Sequence, residues 1–480
     1  MNGAKQFSSA ESKPIIIHDK MEEECGVFAL YDNQPIDNIA QLAYCGLFAL
    51  QHRGQESAGM TLANFGHLET IKGMGLVSEV FDPETLGHKI GNAVIGHVRY
   101  STSGSSTINN AQPLFAQSFL GALALAHNGN LINAKSLRRQ LEEDGAVFQS
   151  TSDSEVIVNL LAKRARLGLV EALRDTCQTI RGGFAVVMLV GNKLVAIRDP
   201  LGLRPLCLGK IRGSETLVLA SESCALDIVG ADVVRDINPG ELVIIDENGL
   251  TSQYYCDPQP RASCSFEYIY FSRPDSIVDG LDVYHVRHKA GQCLAEQKPV
   301  VADIVVGVPD SGIVAAMGYS EKSGIPYEMG LVRSKYMGRS FILPTQGLRE
   351  QAVKLKLNPM RHVVNGKKVV LVDDSLVRGT TAKKLIKLLR EAGASEIHFR
   401  LASPMVRSEC FFGVDINSKQ ELIASRMSLD EICREIDADS LDFLTLKNQR
   451  RILGGCDYCE GCFTAHYPLT DIEIDKKDKF

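Results

Sequence analysis

Apolar residues come in short blocks through the first half of the chain. Residues 25–31 form an apolar run of strand type, and residues 39–50 have the length and spacing of a helix. Residues 93–100 and 123–127 predict strands followed by turns, and 184–190 and 242–245 predict further strands. Ser152 and Glu155 frame a capping box ahead of the apolar-periodic segment 156–165. Many short strands with few helices predict an α+β domain of packed sheets.

The pattern changes at residues 256–264, where CDPQPRASC holds two prolines and no periodicity and reads as a linker. Beyond it, strands and helices alternate. Residues 302–308 and 368–374 are continuous apolar runs of buried-strand type. Residues 381–392 predict a helix stopped by Gly393, and 397–402 a return to strand. This is the βαβ rhythm of a parallel, doubly wound sheet.

Composition narrows the class. A chain of 480 residues holds two to four domains at roughly 100–200 residues each. With 45% hydrophobic and 23% charged residues it is neither disordered nor fibrous. No stretch reaches the ~18–20 apolar residues of a membrane span. A net charge of -6 lacks the basic excess of a general nucleic-acid binder. The 13 cysteines sit mostly alone in apolar runs, which is not the texture of a disulfide framework. The apolar run at 14–17 is shorter than a secretory h-region, so a reducing cytoplasm is expected.

The most specific chemical signal is VVLVDDSLVRGTT, residues 369–381. An apolar strand ends in two carboxylates, and a short Arg-Gly-Thr-Thr loop then enters a helix. Ligands of open α/β sheets sit beyond the carboxyl ends of the strands. Backbone N–H groups at a helix N-terminus suit a phosphate, and paired carboxylates suit sugar hydroxyls or a divalent ion. A second strand-to-helix loop, GVPDSG at 307–312, offers a glycine-eased approach to a pyrophosphate.

The longer loop resembles the binding motif of type I phosphoribosyltransferases, which use 5-phosphoribosyl-1-pyrophosphate (PRPP). The resemblance implies that Asp373 and Asp374 hold the ribose hydroxyls and a magnesium ion. It implies that Ser375, Arg378, Gly379, Thr380 and Thr381 cradle the 5-phosphate. Asp310, Ser311 and Gly312 would meet the pyrophosphate, with Ser311 beside the metal. KYMGRSF, with Lys335, Tyr336 and Arg339, resembles the family's loop that closes over PRPP. Closure is needed physically, because an oxocarbenium-like centre must meet ammonia and not water.

In the first half, Arg99 in GHVRYST can bind a carboxylate bidentately. Asn128 and Gly129 in HNGN offer an amide and an N–H, the parts of an oxyanion hole. Asp153 in SDSE offers a carboxylate for an amino group, or is simply a first-turn helix acid. With Cys25 these residues resemble the class II glutamine amidotransferases, which are N-terminal-nucleophile hydrolases. The resemblance implies Cys25 as nucleophile, Asn128 and Gly129 as oxyanion donors, and Arg99, Thr102 and Asp153 as glutamine binders. In that family the nucleophile's own α-amine is the general base. Cys25 is internal, so residues 1–24 are expected to be a propeptide cut after Glu24.

CDYCEGC, residues 456–462, is a double Cys-x-x-Cys. Its spacing suits an iron–sulfur cluster, zinc or, less well, a redox dithiol. The Phe463-Thr464 and Tyr467-Pro468 that follow resemble the Bacillus-type branch of the amidophosphoribosyltransferases. That resemblance spans about residues 24–471. It implies one 4Fe–4S cluster per subunit on Cys264, Cys410, Cys459 and Cys462, with Cys456 spare.

The expected fold is an α+β N-terminal-nucleophile hydrolase domain (αββα sandwich) at 25–258, then an α/β type I phosphoribosyltransferase domain at 259–480. The implied reaction makes 5-phosphoribosylamine, glutamate and pyrophosphate from glutamine, PRPP and water, the first committed step of purine synthesis. The resemblance further implies one Mg2+ per subunit, a homotetramer and purine nucleotides as feedback inhibitors, with no nucleic-acid or membrane partner. Other class II amidotransferases lack the 369–381 loop. PRPP-sensing regulators carry a DNA-binding module, and no basic helix stands out here.

Overall fold

The computed structural model describes residues 25–100, 105–334, 357–416 and 418–469. The expected propeptide at 1–24, Thr102, and Lys335, Tyr336 and Arg339 of the expected closing loop lie outside the described residues.

Among the described residues, the first half builds two antiparallel sheets, one of seven strands and one of six. The strand Gly26–Ile36 lies inside the first sheet, between Gly91–Arg99 and Leu217–Ala220. Strand alternation explains the stacking. Val27, Ala29 and Tyr31 face the second sheet, where Ala124, Ala126, Ala185 and Val187 meet them in one buried cluster. Phe28 and Leu30 point the other way, onto the helix Ile39–Ala49. The outer face of the second sheet is covered by helices Ser154–Arg164 and Leu169–Thr179. The layers therefore run helix, sheet, sheet, helix, the sandwich that the family resemblance implies.

Two local expectations are corrected. The segment His127–Asn130 is not a turn. The strand runs from Gly121 to Leu131, and Asn128, Gly129 and Asn130 pair with Ala185, Phe184 and Gly183. Nor do Ser152 and Glu155 form a capping box. The helix starts at Ser154, and the Glu155 carboxylate instead accepts the N–H groups of Gln149 and Ser150 at 2.8 and 2.7 Å. Two free amides of the preceding loop outcompete the cap.

After the strand Gly249–Tyr254 the chain is irregular over 257–262. A four-stranded parallel sheet then forms in the order Ile304–Gly307, Lys368–Asp373, Glu396–Leu401, Ser440–Phe443. The helices Val283–Gln297 and Ile313–Ser323 pack on one face and Thr380–Glu391 on the other. Burial on both faces explains why these strands read as unbroken apolar runs.

Candidate functional site

Cys25 lies at the entry to its strand, buried, with its thiol donating to the Tyr100 carbonyl at 3.3 Å. Its own carbonyl accepts from Arg53 Nε at 3.0 Å. Asn128 is fully buried, and its side-chain amide meets Ser221 Oγ at 3.4 Å. Its Nδ2 is the donor in that bond, and its buried Oδ1 has no hydrogen-bond partner among the described residues. Gly129 has φ +136, and a Cβ there would lie 2.0 Å from the Gly183 carbonyl oxygen. Only glycine lets the strand pair at that point.

Arg99 is buried at the end of its strand, with Nη1 3.6 Å from Glu56 and donating to the Ser105 carbonyl at 3.3 Å. Asp153 accepts the Leu131 N–H at 3.0 Å and lies 3.8 Å from His127 Nδ1. His97 bridges the two sheets, its Nε2 donating to the His127 carbonyl at 3.0 Å. Burial pushes the His97 pKa down to about 3, so this imidazole is neutral.

The second cluster sits at the carboxyl ends of two neighbouring parallel strands. Asp373, Asp374 and Ser375 are buried there, and Asp374 accepts from both Ser375 Oγ, at 2.5 Å, and Ser311 Oγ. Ser311 belongs to the other loop, so the Asp-Asp and Asp-Ser-Gly segments form one site. Val308 N–H donates to the Val372 carbonyl at 2.8 Å, locking the loops together. Each loop opens onto a helix: Gly312 caps Ile313–Ser323, and Gly379, at φ +87, caps Thr380–Glu391. Two helix N-termini thus open beside one carboxylate-lined mouth, which suits an anion with two phosphate ends. Asp310 is exposed and pairs with Arg333 at 2.6 Å. Arg378 is turned onto Glu421, with bonds of 2.9 and 2.5 Å.

Cys264, Cys410, Cys459 and Cys462 come from three segments into one cluster lined by Phe266, Phe412 and Phe463. Cys264 and Cys459 stand opposite each other in a short parallel pair. Burial first, then the neighbouring Cys459, Cys410 and Cys264, pushes the Cys462 thiol well above its ordinary pKa. Cys456 is exposed. Among the described residues no three His, Cys, Asp or Glu side chains are gathered tightly enough to hold a single metal ion.

The two halves meet through buried polar groups that sequence reasoning missed. Arg53 reaches Glu267 of the second half with two 2.9 Å bonds and Glu222 with one of 2.6 Å. Asn130 Nδ2 donates to the Phe411 carbonyl at 2.8 Å, and Arg204 Nε to that of Phe412 at 3.1 Å. Glu267 carried a legible signal. It is a lone charge inside the aromatic run SFEYIYF, and a buried charge requires a partner.

Comparison with known proteins agrees with this division. A glutamine amidotransferase domain model matches residues 97–227, and a phosphoribosyl transferase domain model matches 277–403. The chain is 45% identical to the amidophosphoribosyltransferase of Bacillus subtilis, over 95% of this chain and 96% of that one. It is 46% identical to the Archaeoglobus fulgidus amidophosphoribosyltransferase, over 93% and 98%. Among solved structures, the B. subtilis glutamine PRPP amidotransferase complexed with ADP and GMP superposes with a TM-score of 0.88 at 43% identity, covering 95% of this chain and all of that one. A structure described as the allosteric regulatory enzyme of purine biosynthesis gives 0.89 at 44%, covering 94% and 97%. With identity of this order across nearly its whole length, the chain belongs to the amidophosphoribosyltransferase family.

Proposed function

We propose that this chain takes ammonia from glutamine at Cys25 and adds it to PRPP at the Asp373–Asp374 site. The products are 5-phosphoribosylamine, glutamate and pyrophosphate, and the reaction is the first step of purine biosynthesis. The observation that carries the reading is the Ser311–Asp374 hydrogen bond, which joins two loops at adjacent helix N-termini into one site for a sugar with two phosphate ends.

In the first half the Cys25 thiolate attacks the side-chain amide carbonyl of glutamine. Asn128 and Gly129 N–H groups stabilise the oxyanion, and collapse to a γ-glutamyl thioester releases ammonia. Water then frees glutamate. Arg99, Thr102 and Asp153 hold the amino-acid end of the substrate. The base is the Cys25 α-amine, with a reference pKa of about 7.7–8.0. It exists only after residues 1–24 are removed.

In the second half Asp373 and Asp374 hold the ribose hydroxyls. The 375–381 loop holds the 5-phosphate, and Asp310, Ser311 and Gly312 hold the pyrophosphate. Lys335, Tyr336 and Arg339 belong to the segment that closes over it. Ser311, Asp373 and Asp374 would hold Mg2+, which neutralises the departing pyrophosphate when bound. Hydroxyl and carboxylate oxygens are the donors this ion prefers. The aromatic-lined set of Cys264, Cys410, Cys459 and Cys462 would hold a 4Fe–4S cluster, as in the Bacillus-type branch. Its role there would be structural, joining three segments distant in sequence.

Purine nucleotides as feedback inhibitors, a homotetramer and a cytoplasmic location complete the reading. The B. subtilis relative's complex with ADP and GMP supports the first. Among the described residues no helix is long and apolar enough to cross a membrane.

The test is the release of glutamate and of pyrophosphate, each followed with and without the other substrate. Cys25→Ala should lose glutamine-dependent amination and keep the ammonia-dependent reaction. Asp373→Asn should lose both aminations while glutamate release survives. Loss of every activity in a folded Cys25→Ala protein would show that the labour is not divided this way.

A further inference from the structure

Cys25 has to present two reacting atoms, its thiol and its freed amine, to one substrate. Rotation of the first residue of a chain is ordinarily unrestrained on its amine side. Here the carbonyl of that residue is pinned by Arg53 Nε at 3.0 Å. Arg53 is buried, and a guanidinium there stays in place only if its remaining donors are matched. Glu267 matches them as a fork, Oε2 to Nη1 and Oε1 to Nη2, both at 2.9 Å.

Glu267 is itself held. Ser272 Oγ donates to its Oε2 at 2.8 Å, and Arg204 Nη1 lies 3.6 Å from its Oε1. Glu222 closes the other side of Arg53 at 2.6 Å while accepting from Ser276 Oγ at 2.7 Å and the Arg273 N–H at 2.9 Å. Burial alone would raise the Glu222 pKa. The neighbouring His52 and Arg53 override it and keep the carboxyl ionised.

We propose that Glu267, contributed by the PRPP-binding half, is a positioning residue of the glutaminase half, acting through Arg53 on Cys25. This inference rests on the proposed amidotransferase reaction and deepens it. The glutamine nucleophile is held by a residue of the half that consumes the ammonia. The fork reads the position of the turn Glu267–Phe271, where Arg287 grips the Tyr268 carbonyl at 2.9 Å and that of the following Ser272 at 2.7 Å. Arg287 and Asp374 line one small cavity behind the PRPP mouth.

The test uses the full chain, processed and purified anaerobically, with Glu267→Gln. Glutamine-dependent kcat should fall by about tenfold or more, as expected when a nucleophile loses its alignment. KM for glutamine and the ammonia-dependent rate should stay near the parent's. Alkylation of Cys25 by iodoacetamide, followed by mass spectrometry, should slow with kcat. If Glu267→Gln fails to fold, Ser272→Ala removes one support of the same carboxylate and should shift the same readouts in the same direction, by less. A folded variant with parental kcat and alkylation rate overturns the proposal. A parallel fall of glutamine- and ammonia-dependent rates also overturns it, because that is the mark of a merely structural role. A parent protein that releases no pyrophosphate from PRPP would instead overturn the amidotransferase reading.

Discussion

Gly312 offers the sharpest test of how the PRPP mouth is built. Its backbone is helical, so alanine meets no conformational objection. The obstacle is space. A Cβ at 312 would lie 2.4 Å from the Val372 carbonyl oxygen, and 3.0 Å from both Asp373 Cα and the Val308 carbonyl oxygen. All three are backbone atoms at the ends of central strands and cannot swing aside. Reaching ordinary contact at 3.4 Å means opening the two loops by about 1.0 Å, the difference of the two distances. That opening strains the Val308–Val372 hydrogen bond and draws Ser311 off Asp374. A 1 Å misplacement costs about 100-fold in rate, or about 2.7 kcal/mol of transition-state stabilisation. Overpacking should destabilise the fold by about 1–3 kcal/mol. Gly312→Ala should therefore lose about two decades in kcat/KM for PRPP with ammonia as the nitrogen source. Glutamate release from glutamine should stay near normal. A stably folded Gly312→Ala protein whose ammonia-dependent kcat/KM stays within about threefold of the parent's would refute this reasoning about the contact.

Other outcomes follow from separate parts of the molecule. Anaerobically purified protein should be brown with about four irons per chain, by metal analysis and absorbance; colourless protein with stoichiometric zinc would overturn the cluster. Intact-mass measurement of active enzyme should show a chain beginning at Cys25, and an active chain that keeps earlier residues would remove the α-amine base. Native His97 is held at about 3 against about 6.5 unfolded, so the unfolded chain takes up a proton that the native one refuses. Its contribution to stability is full above about pH 6.5 and is lost as pH falls toward 3. Urea unfolding at pH 7.5 and 5.5 should show a smaller pH dependence in His97→Asn than in the parent.

What could be read from the sequence was what sits close along it. The 369–381 loop is a strand, two carboxylates and a helix start in thirteen consecutive residues, so its chemistry and its backbone are visible together. The parallel sheet of the second half was legible for a similar reason, because its central strands are buried on both faces and read as unbroken apolar runs. Residues positioned by distant partners were not. Arg53 lies in QHRGQ, a polar stretch that looks like solvent-exposed loop, yet its main partner is 214 residues away. Ser221, which meets the Asn128 amide and accepts the Val27 N–H, has no local feature that distinguishes it. Arg378 differs in another way. Its sequence position suits a phosphate, but the guanidinium pairs with the carboxylate of Glu421.

That last pairing separates the parts of the molecule that substrate can move from those it cannot. Arg378–Glu421 and Arg333–Asp310 are partly or largely solvent-exposed ion pairs at the PRPP mouth. Such pairs contribute only about 0–1 kcal/mol each, so an incoming phosphate or pyrophosphate can displace the carboxylates at little cost. The Arg53–Glu222–Glu267 cluster is the opposite case. All three side chains are essentially excluded from water, and removing one partner from such a group costs about 3–5 kcal/mol. Rearrangement on PRPP binding must therefore concentrate in the loops that carry the exposed pairs. The buried cluster moves, if at all, as one body with the Glu267–Phe271 turn. A rigid contact between the halves and loose contacts at the mouth is the arrangement that lets a change in the second site reach Cys25 without being absorbed on the way.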